Sequence, residues 1–320
     1  MPSAAKTISI CIPAYNEAAN LPTAIETVEK LFKTELAAYN LEIIVTDNAS
    51  TDSTWAVIQA AATGRPHLRA FRFSRNFGYQ NSIFAGLSHA QGDAVVELDA
   101  DLEDPPQVIL QFVQLWEKGF DVVYGVRRTR HASFGMKLVF KAFYRILNRL
   151  SDIKIPENSG DFRLLDRKVV NVLTALPERN LYLRGLVSYL GFKQTPVLYD
   201  RDPRLSGKSK FRLFNYLVLA IDALTAFSKT PLRMIGVLGS ILFVVAMILV
   251  TNYLVGFICF GTPMPGFTTL VVLTLFLHSI TFIFLGILGE YLSRIFDDTK
   301  NRPRVVIAEA LNTGEFKRTL

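Results

Sequence analysis

An uncharged run of 55 residues, from Ile235 to Gly289, constrains the fold of this chain more than any other feature. A single helix needs only about 20 apolar residues to cross a bilayer. A segment rich in Gly and Pro, 261–266, interrupts the run near its middle. We therefore predict a transmembrane helical hairpin with spans at about 235–260 and 267–292. The alternative is a pair of buried core helices, but uncharged segments of this length are rare in soluble proteins.

Basic residues flank both ends of this hairpin, whereas the turn between the two spans carries no charge. Lysine and arginine concentrate in cytosolic loops, so both termini and the N-terminal region are predicted to be cytosolic. The expected organisation is a cytosolic domain over 1–210, an interfacial amphipathic helix over 211–234, the hairpin over 235–292 and a cytosolic tail over 293–320. Glycine pairs in the spans are candidates for close packing in a homo-oligomer: Gly236, Gly239, Gly286 and Gly289.

The net charge of +7 raises the question of nucleic-acid binding. The basic residues crowd beside the spans and no nucleic-acid motif is present, so we expect membrane lipid or a lipid phosphate as the partner and no nucleic acid. In the segment 134–150, basic residues recur every four positions beside apolar ones: Lys137, Lys141, Arg145 and Arg149. This composition predicts a helix that lies in the membrane interface, where it would meet a lipid phosphate. A solvated basic face on a surface helix is the alternative.

Before the hairpin, apolar runs typical of strands alternate with helical patterns. The strands are predicted near 7–13, 41–47, 68–73, 94–99 and 120–125, and the helices near 21–34, 53–62, 79–90 and 106–117. This alternation predicts an α/β fold with a mostly parallel sheet. In such sheets ligands bind at the carboxyl ends of the strands.

Polar segments follow three of these strands, at 13–17, 47–52 and 99–104. The last segment carries four carboxylates: Asp99, Asp101, Glu103 and Asp104. Closely spaced carboxylates repel one another unless a cation lies between them, and Mg²⁺ or Mn²⁺ is held by carboxylates together with substrate phosphates. A solvated acidic turn is the alternative, but three polar turns at one sheet edge favour a metal-bridged nucleotide. Asp104 is instead predicted to cap the following helix.

Two familiar phosphate-binding loops are absent from the sequence. No Gly-x-Gly-x-x-Gly follows the first strand, and Gly207 does not belong to a P-loop because Asp202 stands five positions before it. Without a glycine cradle, a diphosphate needs a metal and basic side chains. This favours an activated-sugar nucleotide over a dinucleotide cofactor or an ATPase substrate.

Five segments in order carry a resemblance to a known family: Ile12–Glu17, Asp47–Asp52, Leu98–Pro106, Gly160–Arg163 and Arg204–Lys210. Together with the hairpin they resemble the inverting family 2 glycosyltransferases, in the polyisoprenyl-phosphate branch that includes dolichol-phosphate mannose synthase and the bactoprenol glucosyltransferases. The resemblance covers essentially the whole chain. It implies a GT-A domain, which is Rossmann-like with a mostly parallel sheet, on an integral protein of a bacterial-type plasma membrane.

The resemblance also implies roles for residues that match the family's motifs. The nucleotide sugar would be bound by Pro13, Tyr15, Glu17, Asp47 and Asp99. The metal, Mg²⁺ or Mn²⁺, would be bound by Asp99, Asp101 and Glu103, with Asp101 as the direct ligand. Relatives often have Gln at the position of Glu103, so the added charge would alter the metal preference. The catalytic candidates are Asp161, Arg127, Arg204 and Lys210, of which the three basic residues would bind phosphate.

The implied reaction transfers a hexose, glucose from UDP-glucose, to an undecaprenyl-type phosphate. The alternatives are a mannose synthase using GDP-mannose, an aminoarabinose-type transferase and, outside the enzymes, a membrane anchor or flippase subunit. Negative charge develops on the leaving diphosphate, and a divalent metal and arginines can neutralise it. The acceptor phosphate has a second pKa near about 6 and is largely ionised at pH 7. Asp161 is therefore predicted to orient the sugar, the basic loop or the acceptor and not to act as a strong base.

Overall fold

The computed structural model describes residues 5–128, 159–179, 181–201, 230–260, 266–300 and 302–314. The strands are β1 (Thr7–Ala14), β2 (Asn40–Asp47), β3 (Leu68–Phe73), β4 (Ala94–Glu97), β5 (Val122–Arg127), β6 (Ser159–Asp166), β7 (Gln194–Tyr199) and β8 (Ile307–Leu311). The helices are α1 (Leu21–Thr34), α2 (Thr54–Ala62), α3 (Tyr79–His89), α4 (Val108–Glu117), α5 (Arg167–Ala175), α6 (Leu183–Tyr189), α7 (Thr230–Phe260) and α8 (Phe267–Thr299).

In the described part of the chain, eight strands form one sheet in the order β7-β5-β6-β4-β1-β2-β3-β8. The pairs β1 with β2, β1 with β4, β2 with β3 and β5 with β7 are parallel. Only β6 and β8 run antiparallel to their neighbours in this sheet. The predicted α/β fold with a mostly parallel sheet is therefore confirmed, and the predicted strands and helices agree with those of the structure to within about two residues at each end.

Apolar layers cover both faces of the sheet because alternate side chains of each strand point to opposite faces. Ile8, Ile10 and Ile12 of β1 pack in the layer that contains α1 and α4. Cys11 and Ile44 pack in the other layer, against α3 and α5. This arrangement places the carboxyl ends of β1, β2 and β4 at one edge, where the polar loops begin.

The sequence analysis did not predict β6, although the alternation of polar and apolar residues along it is typical of a strand. Phe162 and Leu164 face the apolar layer of α1 and α4. Asp161 and Arg163 point to the opposite face and are nevertheless buried. A strand with charged residues on one face normally exposes that face to solvent, whereas the charged face of β6 is buried in the protein interior.

The tail that follows α8 returns to the sheet, which the sequence analysis also did not predict. β8 pairs antiparallel with β3, and Glu309 accepts a hydrogen bond from the Trp55 indole at 3.1 Å and pairs with Arg72 at 2.9 Å. Arg304 donates to the backbone oxygen of Glu178 at 2.8 Å and its guanidinium lies 4.2 Å from the Phe84 ring centroid. The tail and the N-terminal residues therefore share one sheet.

Replacing Glu309 by Ala is expected to lower the melting temperature of the full chain by a few degrees. The change leaves the Trp55 indole and the Arg72 guanidinium without this acceptor, and the Glu309 side chain is 48% exposed, which limits the cost to about 1 kcal/mol. Thermal unfolding in detergent measures the effect. Glu35→Ala removes an exposed carboxylate elsewhere on the domain and serves as the control. Equal melting temperatures for the two variants would contradict the prediction.

Among the residues that the structure describes, two helices are long and apolar enough, by length and composition, to cross a membrane. The windows are Leu232–Leu249 in α7 and Leu273–Thr299 in α8, with mean hydropathies of 2.4 and 1.7, and neither is buried inside the protein. These helices agree in position with the predicted spans. The predicted interfacial helix over 134–150 lies outside the described residues, and so do Lys137, Lys141, Arg145 and Arg149. Of the second interfacial helix, predicted over 211–234, residues 211–229 lie outside them, whereas residues 230–234 belong to α7, which begins at Thr230 and not at Ile235.

Candidate active site

The loops that follow β1 and β2 are bonded directly to one another, as their position at one sheet edge predicts. The backbone N–H of Asn16 donates to Ser50 Oγ at 2.9 Å, and Asn16 Oδ1 accepts from the backbone N–H of Thr51 at 2.8 Å. In the loops after β1, β2 and β4, Asn16, Ala49 and Leu102 have φ angles of 58°, 56° and 53°. Non-glycine residues rarely adopt this left-handed conformation, which concentrates in functional loops.

Two predicted nucleotide-binding carboxylates are held within these loops. Glu17 Oε2 accepts a hydrogen bond from Asn20 Nδ2 at 2.7 Å. Asp47 is buried at the end of β2, where Oδ1 accepts from the backbone N–H of Ser50 at 3.1 Å and Oδ2 lies 3.4 Å from Arg72 Nε. Burial raises the pKa of Asp47. Both carboxylates are thus fixed by neighbours before any ligand binds.

The loop after β4, residues 98–104, is called the acidic loop, and its carboxylates have distinct surroundings. Asp99 Oδ1 accepts a hydrogen bond from the Tyr79 hydroxyl at 2.6 Å, and burial raises the pKa of Asp99 to about 7. Asp101 is partly exposed and its Oδ1 accepts from the backbone N–H of Glu103 at 3.2 Å. The Glu103 carboxylate forms an ion pair with Arg201. Among the residues that the structure describes, no three His, Cys, Asp or Glu side chains form a group that could hold a metal ion.

Asp104 does not cap the following helix, so that prediction was wrong. The helix α4 begins at Val108, and Asp104 is only 1% exposed. Its Oδ1 accepts from the Tyr199 hydroxyl at 2.6 Å and from Arg201 Nε at 3.2 Å, and its Oδ2 accepts from Arg127 Nη2 at 3.3 Å. These partners come from the ends of β5 and β7, far away in the sequence. A local capping pattern therefore could not indicate them.

Two glycines make room for the partners of Asp104. A Cβ atom at Gly125 would lie 2.6 Å from Tyr199 Cε1, and one at Gly160 would lie 3.1 Å from Arg127 Nη2. Arg127 therefore passes beside the backbone of β6 to reach Asp104. The guanidinium of Arg127, a predicted phosphate-binding group, therefore lies beside Asp104 of the acidic loop.

Asp161 lies on β6 between two arginines. Arg184 donates from Nε and Nη2 to the two carboxylate oxygens, at 2.8 Å each, and Arg163 Nη2 donates to Oδ1 at 3.3 Å. Although burial raises the pKa of Asp161, the charges of Arg184 and Arg163 outweigh this effect and hold the pKa at about 2. The carboxylate is therefore ionised throughout the physiological range, which favours a positioning role.

Glu97, which the sequence analysis did not single out, is a buried carboxyl next to Arg163 and Asp161. In the described part of the chain neither of its oxygens has a hydrogen-bond partner, and Oε2 is 3.5 Å from Arg163 Nε. Burial raises the pKa of Glu97 to about 8. Glu97 shares a small pocket with residues from β1, α3, the acidic loop and β6: Pro13, Tyr79, Ile83, Leu98, Asp99, Asp161 and Phe162.

The structure thus brings Pro13, Asp99 and Asp161 to one pocket, with Arg127 tied to the acidic loop. Tyr15 is 40% exposed in the loop after β1. Arg204 and Lys210 lie outside the described residues. The sequence analysis missed the roles of Tyr79, Arg163, Arg184, Tyr199 and Arg201. Only two of these had a local signal, since Arg163 ends the quoted Gly160–Arg163 segment and Arg201 precedes the basic segment by three positions.

Solved structures with similar folds include two glycosyltransferases. One is a mannosyltransferase from Pyrobaculum calidifontis in complex with GDP-Man and Mn²⁺, with 18% identity, a TM-score of 0.47 and coverage of 70% of this chain and 63% of that chain. The other is glucosyl-3-phosphoglycerate synthase from Mycobacterium tuberculosis in complex with Mn²⁺, UDP-glucose and phosphoglyceric acid, with 19% identity, a TM-score of 0.45 and coverage of 69% and 78%.

Sequence relatives match over nearly the whole chain. An uncharacterised glycosyltransferase of Synechocystis sp. (strain ATCC 27184 / PCC 6803 / Kazusa) is 37% identical over 94% of this chain and 95% of its own length. A prophage-derived bactoprenol glucosyl transferase of Shigella flexneri is 37% identical over 95% and 98%, and a prophage bactoprenol glucosyl transferase homolog of Escherichia coli (strain K12) is 38% identical over 94% and 98%. The family described as Glycosyl transferase family 2 matches residues 9–174. The chain therefore belongs to glycosyl transferase family 2, as its sequence segments predicted.

Proposed function

We propose that this glycosyltransferase of GT-A fold transfers a hexose from a nucleotide sugar to a polyprenyl phosphate, with glucose from UDP-glucose as the donor. The observation that carries the proposal is the meeting of the loops after β1 and β2 at the sheet edge where the acidic loop begins. The relatives named bactoprenol glucosyl transferases support glucose as the sugar and a polyprenyl phosphate as the acceptor, because they match over more than nine-tenths of both chains.

The nucleotide would lie across the loops after β1 and β2. Pro13 and Tyr15 offer flat surfaces for the base, while Glu17 and Asp47 offer carboxylate oxygens to base and ribose donors. Asp47 is already fixed by Ser50, so it does not have to reorient when the nucleotide binds. Asp99 would contact the ribose or diphosphate from the neighbouring strand end.

A divalent cation fits the donor chemistry of the acidic loop. Asp99, Asp101 and Glu103 offer hard oxygen ligands, and the loop already attracts the Arg201 guanidinium. Since no complete group of ligands is formed by the described side chains, substrate diphosphate oxygens would supply the remaining ligands. Mg²⁺ or Mn²⁺ bound there would neutralise charge on the leaving diphosphate.

The protein's own residues can assist the transfer both at the attacking acceptor phosphate and at the leaving diphosphate. An acceptor phosphate oxygen attacks the anomeric carbon on the face opposite the diphosphate, and the bond from that carbon to the diphosphate breaks as nucleoside diphosphate leaves with inversion. The attacking dianion needs no proton removed at neutral pH. Arg127, with Arg204 and Lys210, would stabilise phosphate charge, since guanidinium groups suit phosphate oxygens. Asp161 would hold Arg184 and Arg163 beside the small pocket that it shares with Pro13 and Asp99, called the sugar pocket because the transferred sugar would lie there.

The membrane arrangement follows from the two apolar helices and the tail. Because β8 lies in the same sheet as β1 to β7, the residues after α8 must be on the same side of the membrane as that sheet. A hairpin of two spans satisfies this requirement. The basic flanks support a cytosolic location for that side, where the predicted interfacial residues near Lys141 would meet the acceptor headgroup. Homo-oligomerisation through the span glycines stays a prediction.

Incubation of the purified full chain with undecaprenyl phosphate and Mg²⁺ or Mn²⁺ tests the proposal. UDP-glucose, GDP-mannose and a nucleotide-linked aminoarabinose are supplied separately, and the lipid product is identified by mass. We expect a hexosyl lipid from UDP-glucose that is lost on chelation with EDTA. If a product forms from GDP-mannose alone, GDP-mannose and not UDP-glucose is the donor. No product from any donor would contradict the enzyme proposal and favour an anchor or flippase subunit.

A further inference from the structure

We infer that Arg201 is a resident counter-cation of the acidic loop and competes with the divalent cation for Glu103. The inference rests on the proposed function, which assigns Glu103 as a metal ligand. It adds a residue that determines how strongly the acidic loop binds a metal and makes this binding depend on nucleotide.

The contacts of Arg201 carry the inference. Its Nη1 forms an ion pair with Glu103 Oε2, and its Nε lies 3.2 Å from Asp104 Oδ1. One guanidinium therefore bridges two adjacent carboxylates. The Glu103 and Asp104 side chains are buried, at 10% and 1% exposed, whereas Arg201 is 32% exposed. Solvent and salt screen a pair with buried carboxylates much less than a surface pair.

The end of β7 holds Arg201 in this position. Tyr199, two residues earlier, donates its hydroxyl to Asp104 at 2.6 Å, and the backbone oxygen of Tyr199 accepts from the N–H of Arg128 at 3.0 Å. Because this strand end is fixed on the acidic loop, Arg201 gives up little further conformational freedom when it pairs with Glu103.

Competition follows from the electrostatics of the pair. A divalent cation that coordinates Glu103 must displace the guanidinium from the same carboxylate or accept it as a close positive neighbour, and both are unfavourable. The protein without nucleotide should therefore bind Mn²⁺ weakly. A bound nucleoside diphosphate would offset the cost, because it brings oxygen ligands for the metal and a second anionic partner for Arg201.

Mn²⁺ binding to the full chain in detergent, measured by electron paramagnetic resonance without nucleotide and with UDP, tests the inference. Arg201→Gln is expected to tighten Mn²⁺ binding without nucleotide by about tenfold. The double variant Glu103→Gln with Arg201→Gln should return to the wild-type affinity or below. Mn²⁺ binding by Arg201→Gln that is no tighter than that of the wild type would overturn the inference.

Arg128→Gln is the matched control, because it removes an exposed arginine near the same strand end that pairs with Asp200 and not with Glu103. It should leave Mn²⁺ affinity within twofold of wild type; tightening as large as that of Arg201→Gln would mean that loss of any nearby positive charge, not competition for Glu103, is responsible. If Arg201→Gln does not fold, Arg201→Lys replaces it, since a lysine cannot bridge both carboxylates and should tighten Mn²⁺ binding to a smaller degree. Unchanged affinity in Arg201→Lys would then refute the inference.

The readout separates this inference from the proposed function. Tighter Mn²⁺ binding in Arg201→Gln, together with no sugar transfer by the wild type, would refute the function alone. Sugar transfer that depends on metal, together with unchanged Mn²⁺ binding in the variant, would refute the competition alone.

Discussion

Replacing Asp101 by Asn is expected to lower sugar transfer by about 10³-fold or more while the protein keeps its fold. The loss reflects several kcal/mol of charge stabilisation at the leaving diphosphate, and each 1.4 kcal/mol or so corresponds to a tenfold change in rate. The fold should survive because Asp101 is partly exposed, and its contact with the backbone N–H of Glu103 needs only an oxygen acceptor, which an amide also provides. Asp101 is thus the acidic residue whose removal tests the metal site most cleanly.

A matched control lies at the other end of β4, just before the strand begins. Asp93 precedes β4 and accepts a hydrogen bond from the backbone N–H of Thr7 at 2.8 Å. Asp93→Asn keeps an oxygen acceptor there and should leave the transfer rate within about twofold of wild type. Initial rates with saturating donor, together with thermal unfolding of both variants, make the comparison. Asp101→Asn with more than a tenth of wild-type activity would show that Asp101 is not an essential metal ligand.

The edge where the site lies could be predicted from sequence because it depends on topology alone. Parallel strands end at one edge, so the segments after β1, β2 and β4 had to lie close together once the strands were assigned. The partners of the acidic loop could not be predicted in this way. Asp104 and Arg201 are 97 positions apart, and Asp161 and Arg184 are 23 apart. No periodic pattern relates residues that meet only through tertiary packing.

The wrong capping prediction for Asp104 has the same origin. An acidic residue before a proline and a helix is typical of an N-cap, and the local sequence offered no competing partner. The structure provides three stronger ones, from Arg127, Tyr199 and Arg201. A buried carboxylate with cationic partners gains more than a cap contributes, so tertiary contacts override the local preference.

Asp161→Asn is expected to abolish transfer at every pH and to destabilise the protein by about 3 kcal/mol or more. The amide leaves Arg184 and the buried Arg163 without their shared counter-charge, and an unpaired buried charge is costly. The folded-state pKa of Asp161 lies below its usual value, so its contribution to stability is fully present above about pH 4 and is lost as the pH falls through about 2. Transfer assays across the pH range measure the first effect, and thermal unfolding of the wild type and the variant between about pH 2 and 7 measures the second.

The wild-type pH profile decides between a base and a positioning group for Asp161. With a pKa of about 2, Asp161 would have to take a proton from a phosphate whose second pKa is about 6, which is unfavourable by about four pKa units. We therefore expect the transfer rate to fall on the acidic side near pH 6, following ionisation of the acceptor. An acidic limb near pH 2 to 3 would instead follow Asp161 and support a base.

The double variant Asp161→Asn with Arg184→Gln distinguishes a role of Asp161 in neutralising the buried arginines from a role in sugar transfer. Removing one cation together with the carboxylate leaves a smaller unpaired charge, so stability should recover in part. If Asp161 acts by fixing Arg184 and Arg163 at the sugar pocket, transfer stays lost in the double variant even though the protein is folded. Recovery of transfer along with stability would mean that Asp161 only balances charge in the interior. Because the carboxylate pairs with Arg184 through both oxygens, we expect the first outcome.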